Sequence, residues 1–359
     1  MLIKSIKLQN YRNYEHLDLT FDEKTNVFHG ENGQGKTNIL EALYLTGTTK
    51  SHRKAKDREL IRFGCDEGHI EVVVEKNKSQ YIIDMHLRKN SSKGIAINKL
   101  PIKKASELFG LIHFVFFSPE DLSIIKAGPQ ARRKFIDLEL CQLDKVYFNN
   151  LYNYNKIINQ RNSLLRGIQQ DKSLINTLEV WEAQLVTYGK KIIERRHDFI
   201  EEINKIINNI HLKLTGGKEN LKIVYVKNTE EERFKKALIK NRETDIRIKA
   251  TSVGPHRDDI SFVSDNIDLR QFGSQGQQRT AALSLKLAEL EIVKKTIKDT
   301  PVLLLDDVLS ELDKFRQGHL LNSIKGIQTI ITGTGLDELE KNHFSLNRIF
   351  YVKDGKVMI

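Results

Sequence analysis

Gly30-Glu31-Asn32-Gly33-Gln34-Gly35-Lys36-Thr37 fits the pattern G-x-x-x-x-G-K-[ST] residue for residue. The residue types follow from what holding a phosphate requires. Glycine lets the backbone turn tightly and aim its N–H groups at anionic oxygens. Lys36 would place a point charge on β- and γ-phosphates, and the Thr37 hydroxyl would be a ligand for Mg²⁺. The flanks suit the part. Val27-Phe28 can end a strand, and Asn38-Ile39-Leu40-Glu41-Ala42-Leu43 reads as a helix, so the loop stands at a helix N-terminus, where anions bind. A Gly-rich turn before an ordinary helix is the bland alternative.

Far downstream, Pro301-Val302-Leu303-Leu304-Leu305-Asp306-Asp307 supplies the other half of such a site. Its apolar run predicts a buried parallel strand with two carboxylates at the C-terminal end, the edge of an α/β sheet where ligands bind. Asp306 is placed to hold Mg²⁺ through water, and Asp307 to orient or activate an attacking water. With Lys36 these are the candidate catalytic groups. Residues 327–331 predict another apolar strand, ending in Thr332-Gly333-Thr334, where a hydroxyl could sense a γ-phosphate. Ser274-Gln275-Gly276-Gln277-Gln278-Arg279 precedes a helix marked by Ala281, Leu285, Ala288 and Ile292. A Ser hydroxyl, a Gly backbone and unsatisfied N–H groups converge at that N-terminus, either as a second anion site or as a simple Ser cap. No Asn-Lys-x-Asp element for reading guanine is present, which disfavours a GTPase.

The formal charge of +11 favours a polyanionic partner such as nucleic acid, although a Lys-rich surface without a partner would look the same. Apolar content of 39%, charged content of 29% and no apolar run of about 18 residues describe a soluble globular chain without a transmembrane helix. Lys4 and Lys7 interrupt a strand-like start that does not look like a signal peptide. Cys65 and Cys141 are far apart, which implies a reducing compartment and rules out a Cys-based metal site. A cytoplasmic location is expected.

In chain order, residues 2–8 and 16–21 predict a β pair, because Leu17, Leu19 and Phe21 alternate with Asp18 and Thr20. Between them, Asn10-Tyr11-Arg12-Asn13-Tyr14 places Arg12 either against nucleotide phosphates or in a surface turn. Lys50-Ser51-His52-Arg53-Lys54-Ala55-Lys56-Asp57-Arg58 is a phosphate-contacting patch or a solvated loop. Antiparallel strands follow over residues 69–97, then a bulky strand at 112–117. From about 121 to 214 the pattern turns helical. Leu143, Tyr147, Leu151, Tyr154 and Ile158 form one seam. Trp181, Leu185, Tyr188, Ile192, Phe199, Ile203, Ile207, Ile210 and Leu214 form a second, weakened at Arg195 and Arg196. These predict an antiparallel helical hairpin, a projecting arm. Short strands are expected at 221–226 and 259–263, with His256 in a compact turn between them more structural than catalytic. Lys353-Asp354-Gly355-Lys356 reads as a two-residue hairpin turn.

The phosphate loop, the Ser-x-Gly-Gln segment, the apolar strand with paired acids and the following Ser310-Glu311-Leu312-Asp313 together resemble the ABC ATPase superfamily. Within it the chain is similar to the SMC-like DNA repair ATPases, and most of all to the RecF-like family. The likeness extends over residues 10–14, 30–37, 117–121, 128–137, 254–259, 274–279 and 303–313. It implies an α/β fold: an ABC-type ATPase head of residues 1–119 and 281–359, with an inserted helical arm lobe, 120–280, that carries the Ser274 motif. It implies an ATP-dependent homodimer, in which residues 30–37 of one copy and Ser274, Gly276 and Gln277 of the other enclose ATP and Mg²⁺. Arg12 would touch the phosphates, Glu120 would sense the metal, and Asp313 would pair across the dimer. The short Asp307, where most ABC proteins have Glu, implies slow ATP hydrolysis suited to a timed DNA clamp. Thr332 or Thr334 stands where a His is common. Gapped or junction DNA, RecR, RecO and the loading of RecA are implied as substrate and partners. The nucleotide-binding subunit of an ABC transporter is the alternative, disfavoured by the long interval between Gly35 and Gly276. An SMC-like organiser would need a far longer coiled coil.

Overall fold

Alternation at period two builds the first sheet. In Leu2–Tyr11 (β1) and Tyr14–Thr20 (β2) the pairs Leu8↔Leu17 and Ile6↔Leu19 face the core, while Asp18 and Thr20 face solvent. Both strands run further than their hydrophobic pattern predicts, and only Arg12-Asn13 is left to turn, with Arg12 in the left-handed region at φ 53. A computed structural model describes residues 1–104, 107–121, 124–336, 339 and 344–358. They form two compact units, Met1–Leu122 with Lys286–Ile359, and Ser123–Leu285. In the first unit Thr25–His29 (β3) leads through the phosphate loop to Lys36–Thr48 (α1), which is buried on nearly every side. A short Asp57–Leu60 helix (α2) follows. Glu67–Lys76 (β4), Ser79–Arg88 (β5), Gly94–Ile97 (β6) and Leu100–Pro101 (β7) extend the first sheet in the order β2-β1-β4-β5-β6-β7. Phe114–Phe117 (β8) belongs to a second sheet.

The second unit opens with Pro129–Leu143 (α3) and Lys145–Gly167 (α4), the latter capped by Asp144, whose side chain accepts from the N–H groups of Val146 and Tyr147. Leu178–Thr215 (α5) ends at Gly216 in a left-handed conformation. Tyr147 meets Arg196 and Arg161 meets Glu182, so pairings that climb α4 descend α5 and the two helices are an antiparallel hairpin. Tyr147, Tyr154, Ile158, Leu185, Ile192, Phe199, Ile203, Ile207 and Leu214 are buried, whereas Leu143, Leu151, Trp181, Tyr188 and Ile210 are half-buried. Charged residues also occupy this seam. Arg196, at the supposedly weak turn, is 2% exposed; it donates to Asp137 at 2.8 Å, to the Pro255 carbonyl at 2.7 Å and to Tyr147, and it faces Asp258. Arg161 donates to Asp245 at 2.7 Å, to Thr251 at 2.9 Å and to Glu182 at 3.0 Å. Lys222–Val226 (β9), Phe234–Lys240 (α6) and Arg242–Ile248 (α7) come next, then Asp259–Ser264 (β10), Ile267–Asp268 (β11) and Leu269–Phe272 (α8). The strands form an antiparallel sheet in the order β11-β10-β9.

Gln275–Ile297 (α9) begins in the second unit and returns the chain to the first. Its residues 280–290 are all buried, so it is a core helix rather than an amphipathic one. Val302–Asp306 (β12), Thr329–Gly333 (β13), Arg348–Lys353 (β14) and Lys356–Met358 (β15) complete the second sheet, ordered β15-β14-β3-β13-β12-β8, with Lys314–Ser323 (α10) connecting β12 to β13. All neighbours except β14 and β15 pair in parallel, and β12 is buried throughout, as its apolar run predicts. Asp354 and Gly355 turn the closing hairpin with φ 48 and 70.

His256 is bonded at both ring nitrogens. The Thr251 carbonyl can only accept, so Nε2 donates to it at 2.9 Å, and Nδ1 accepts from the Tyr154 hydroxyl at 2.8 Å. Burial and nearby arginines push the imidazole down to about 4. An unfolded histidine gains its proton near pH 6.5, so stability from this group is complete above that value and fades as pH falls toward 4. Between those limits the native chain is expected to lose about 3 kcal/mol relative to His256→Gln, which keeps both hydrogen bonds without the charge change. Thermal unfolding across that pH range checks this; parallel curves for the two proteins would remove the role.

Candidate functional site

The phosphate loop leaves β3 and enters α1 with Gly30, Gly33 and Gly35 at φ 141, 81 and 114, a region that side-chain-bearing residues rarely adopt. No side chain caps α1 and no acid lies in its first turn, so the positive end of the helix has no side-chain counter-charge of its own. The loop is braced from behind by the turn between β1 and β2. Asn13 Nδ2 donates to the Gln34 carbonyl at 2.8 Å, Tyr14 donates to the Gly35 carbonyl at 3.0 Å, and Asn38 donates to Asn13 Oδ1 at 2.8 Å. The Asp354 N–H in the closing hairpin holds Gln34 Oε1 at 2.6 Å. A Cβ at Gly35 would run into Asn13 and Tyr14, and one at Gly30 into the Val352 carbonyl, so close packing as well as φ demands glycine there. Lys36 Nζ donates to the Gly30 and Glu31 carbonyls at 2.6 and 2.7 Å, arching over the loop. Burial draws its pKa down, against the pull of Asp307 and Asp306. Glu31 and Asn32 are exposed at the loop's outer face.

Three chain segments meet at Asp306. Thr37 Oγ1 donates to Asp306 Oδ1 at 2.7 Å, and Thr332 Oγ1 donates to the same oxygen at 2.8 Å. The donors gathered here are all oxygen, a hydroxyl and a carboxylate, which fits a hard cation such as Mg²⁺. Asp307 follows at φ 52, a left-handed position with a cost of about 1–3 kcal/mol for a non-glycine residue. Its N–H bonds Thr332 through the carbonyl and the hydroxyl, at 3.2 and 3.1 Å, and Ser310 donates to its carbonyl at 2.7 Å. Burial, followed by the neighbouring Asp306, raises its carboxyl above the ordinary range and makes it a better proton acceptor. Of the two candidate sensors, Thr332 is buried and engaged by Asp306, while Thr334 is exposed.

Arg12 stands in the turn between β1 and β2 with its guanidinium on Glu41. Nε and Nη2 hold both oxygens of the fully buried Glu41 at 2.8 and 2.9 Å, and Nη1 donates to the Glu59 carbonyl at 3.0 Å. Burial would raise the Glu41 carboxyl, but Arg12 and the Ser51 hydroxyl, a close donor, hold it below the ordinary range. Two guanidinium N–H groups remain uncommitted in these bonds. Glu120 is exposed in the turn after β8, where the next residue, Asp121, accepts from Ser118. Asp313 caps α10 and pairs with Arg316 of its own helix.

In the second unit, Ser274 and Gln277 form a reciprocal capping box. Ser274 Oγ accepts from the Gln277 N–H at 3.2 Å, and Gln277 Oε1 accepts from the Ser274 N–H at 3.0 Å. Locally the segment is a Ser cap, in which the Ser274 hydroxyl serves as the acceptor. Glu219 accepts from Gln277 Nε2 at 3.3 Å, and Gln278 is anchored on the Leu269 carbonyl at 2.8 Å. A Cβ at Gly276 would meet the Ser274 hydroxyl oxygen at 3.9 Å, an ordinary contact.

With this geometry in view, comparison with known proteins gives a consistent answer. The chain matches the RecF/RecN/SMC N-terminal domain family over residues 2–357 and belongs to that family. It is 59% identical over 359 residues to the DNA replication and repair protein RecF of Agathobacter rectalis, covering 100% of this chain and 99% of the relative. To the RecF of Lachnospira eligens it is 57% identical over 360 residues, covering 100% and 99%. Among solved structures it is similar to the recombination mediator protein RecF with ATP in the RecFOR pathway, with a TM-score of 0.93, 36% identity, and 99% and 97% of the two chains covered. A Pyrococcus furiosus Smc head bound to the C-terminal domain of ScpA shares the fold at TM-score 0.59 and 16% identity, with 99% and 96% covered. The fold is therefore the SMC-like ABC ATPase head, the chain is a member of the RecF family, and the transporter alternative finds no support. No helix among the described residues is long and apolar enough to cross a membrane.

Asn13→Ala removes the brace on the loop but leaves the sheet intact. ATP affinity is expected to fall about tenfold, the weight of one or two hydrogen bonds. Calorimetric titration with a non-hydrolysed ATP analogue checks this, and unchanged affinity would show that the loop holds its shape without Asn13.

Proposed function

We propose that this RecF-family chain is an ATP-dependent DNA clamp of recombinational repair and replication restart. The observation that carries the proposal is the convergence of Lys36, Thr37, Asp306 and Asp307 at one sheet edge, on a chain that also holds a capped Ser-x-Gly-Gln helix start. Lys36 would leave its two loop carbonyls for the β- and γ-phosphates, offsetting its desolvation with a charged partner. Thr37 and Asp306 would hold Mg²⁺, with Glu120 beside it as metal sensor; the ion would supply positive charge to the phosphates. Arg12 would lend its remaining N–H groups to the phosphates while keeping Glu41. Asp307 would accept the proton of the water that attacks the γ-phosphoryl group, leaving ADP and phosphate.

The second wall of the pocket would come from a second copy. Ser274, Gly276 and Gln277 of that copy would present a hydroxyl and helix N–H groups to the γ-phosphate, so that each nucleotide is shared by two chains. ATP then binds only the closed dimer well and shifts the population toward it, and hydrolysis releases it. Asp313 would exchange its own-helix contact for one across the dimer, and Thr332 would report the γ-phosphate through Asp306. Asp307 has one methylene fewer than Glu, so turnover would be slow, with DNA stimulating it. The excess of 58 Lys and Arg over 47 Asp and Glu supports contacts to DNA phosphates without base reading. Matched relatives stand in the RecFOR pathway, which supports gapped or junction DNA as the substrate, RecR and RecO as partners and RecA loading as the outcome.

Light scattering with ATP, Mg²⁺ and a short gapped duplex tests this. The native chain is expected to double its mass with ATP and to retain DNA; a monomer indifferent to both contradicts the clamp. Asp307→Asn is expected to bind ATP, lower turnover at least about a hundredfold and persist as a dimer, as for removal of a general base. Normal turnover in that variant would remove Asp307 from the role. Lys36→Met is expected to stay monomeric with the fold preserved by circular dichroism; a dimer formed as readily as by the native chain would be incompatible with a nucleotide-held interface.

A further inference from the structure

We propose that the surface from Lys50 to Gly64 is a nucleic-acid contact in which Phe63 stacks on an unpaired base beside a row of phosphate-binding cations, so that this surface reads the boundary between paired and single-stranded DNA. The inference rests on the DNA-binding reading above and names the part of the chain that would carry it. Phe63 is 102% exposed, the most exposed large apolar side chain among the described residues. It is nevertheless not on a loose tail. Ile61 bridges to Tyr11, the Arg62 N–H donates to the Asn10 carbonyl at 2.9 Å, and the Cys65 N–H closes a turn on the Arg62 carbonyl at 3.0 Å. Gly64, at φ 85 with open space around it, completes the turn and leaves the ring at its tip. An aromatic held out rigidly by an anchored backbone has little freedom left for binding to remove, which suits it to stacking.

The same surface carries Lys50, Arg53, Lys54, Lys56 and Arg58, all exposed. Of its two acids, Asp57 pairs with Lys93 at 2.9 Å, and Glu59 accepts from the Lys56 backbone N–H at 2.9 Å. The Arg53 guanidinium donates to a neutral amide oxygen, Asn38 Oδ1, at 3.1 Å. Because cations outnumber acids along this run, a net positive field remains for a polyanion. The division of labour follows from the chemistry. Lysine and arginine bind phosphates in any DNA, paired or not, and their contribution falls with salt. A ring stacks on any base, but only on one that is free of its neighbours in the duplex, and that contribution is insensitive to salt. A cationic row ending in an exposed ring therefore favours DNA that offers both.

The test uses the full chain with ATP and Mg²⁺ and two fluorescein-labelled probes, a blunt duplex and the same duplex with a single-stranded tail, followed by anisotropy over a salt series. Phe63→Ala is expected to weaken binding to the tailed duplex about tenfold, leave the blunt duplex unchanged and keep the salt slope. Arg53→Ala with Lys54→Ala is expected to weaken both probes and lower the slope by about one for each phosphate that is no longer neutralised. Phe63→Trp should restore tailed-duplex binding. Placed in Trp181→Phe, which removes the chain's single tryptophan, its fluorescence should be quenched by the tail and not by the blunt duplex. Equal weakening on both probes, or none on either, would overturn the proposal. So would a Phe63→Ala chain that no longer doubles its mass with ATP, because the ring would then belong to an interface between copies. A native chain that binds neither probe would overturn the DNA reading itself, before any variant is compared.

Discussion

One carboxylate oxygen, Asp306 Oδ1, receives the hydroxyls of Thr37 and Thr332, and the rest of the site is arranged to let them meet. Three segments far apart in sequence have to end at the same edge. Parallel pairing brings this about: Thr332 lies opposite Asp306 on one side and Phe28 on the other, so β12, β13 and β3 finish level and the phosphate loop begins where the acids stand. The Asp307 carboxyl, partly buried and next to Asp306, resists ionisation. The Thr37 and Thr332 hydroxyls on Asp306 and the Lys36 ammonium offset the repulsion between the two acids, as the proposed cation would do further.

The second unit is held by a different constraint. Its helical hairpin buries whole ion networks, Arg161 with Glu182 and Asp245, and Arg196 with Asp137 and Asp258. Buried pairs contribute little net stability against apolar residues of the same size, because desolvation offsets attraction. Once one partner is present, however, removing the other leaves a charge stranded. These networks therefore favour a single register of α4 on α5 and fix where β10 and the turn at His256 attach. A helix pair with an apolar seam alone could slip by a turn; one in which Arg161 of α4 meets Glu182 of α5, and Arg196 of α5 meets Tyr147 of α4, cannot do so without breaking both contacts.

How much of this was legible in the sequence follows from the range of each interaction. The phosphate loop, the apolar strand before Asp306 and the Asp354-Gly355 turn are defined by neighbouring residues, and their types alone disclosed them. The ABC-type head fold followed from their order. Asn13 and Tyr14 were visible only as a polar, aromatic turn, because the carbonyls they hold lie 21 positions away. Arg12 looked like a phosphate ligand or a surface residue, and its bidentate partner Glu41 looked like an ordinary member of α1, 29 positions on. Arg196 was the clearest omission. In a helical pattern a charge reads as exposed unless its counter-ion is known, and Asp137 and Asp258 are 59 and 62 positions distant. Glu219, which touches Gln277, gave no signal at all, since a lone acid after two glycines belongs to no pattern.

The central claim is that each ATP is enclosed by the phosphate loop of one copy and the Ser274 segment of another. Mixing two inactive variants tests it most directly. Lys36→Met spoils the loop and Ser274→Arg obstructs the helix start, so neither alone should turn over ATP. In a mixed dimer one pocket combines the intact loop of the second variant with the intact Ser274 of the first. The account requires ATP turnover to reappear on mixing, at about half the native rate for each mixed dimer if the two pockets act independently. Full turnover by Ser274→Arg alone, or a mixture as inactive as its components while both variants remain folded, would contradict a shared site.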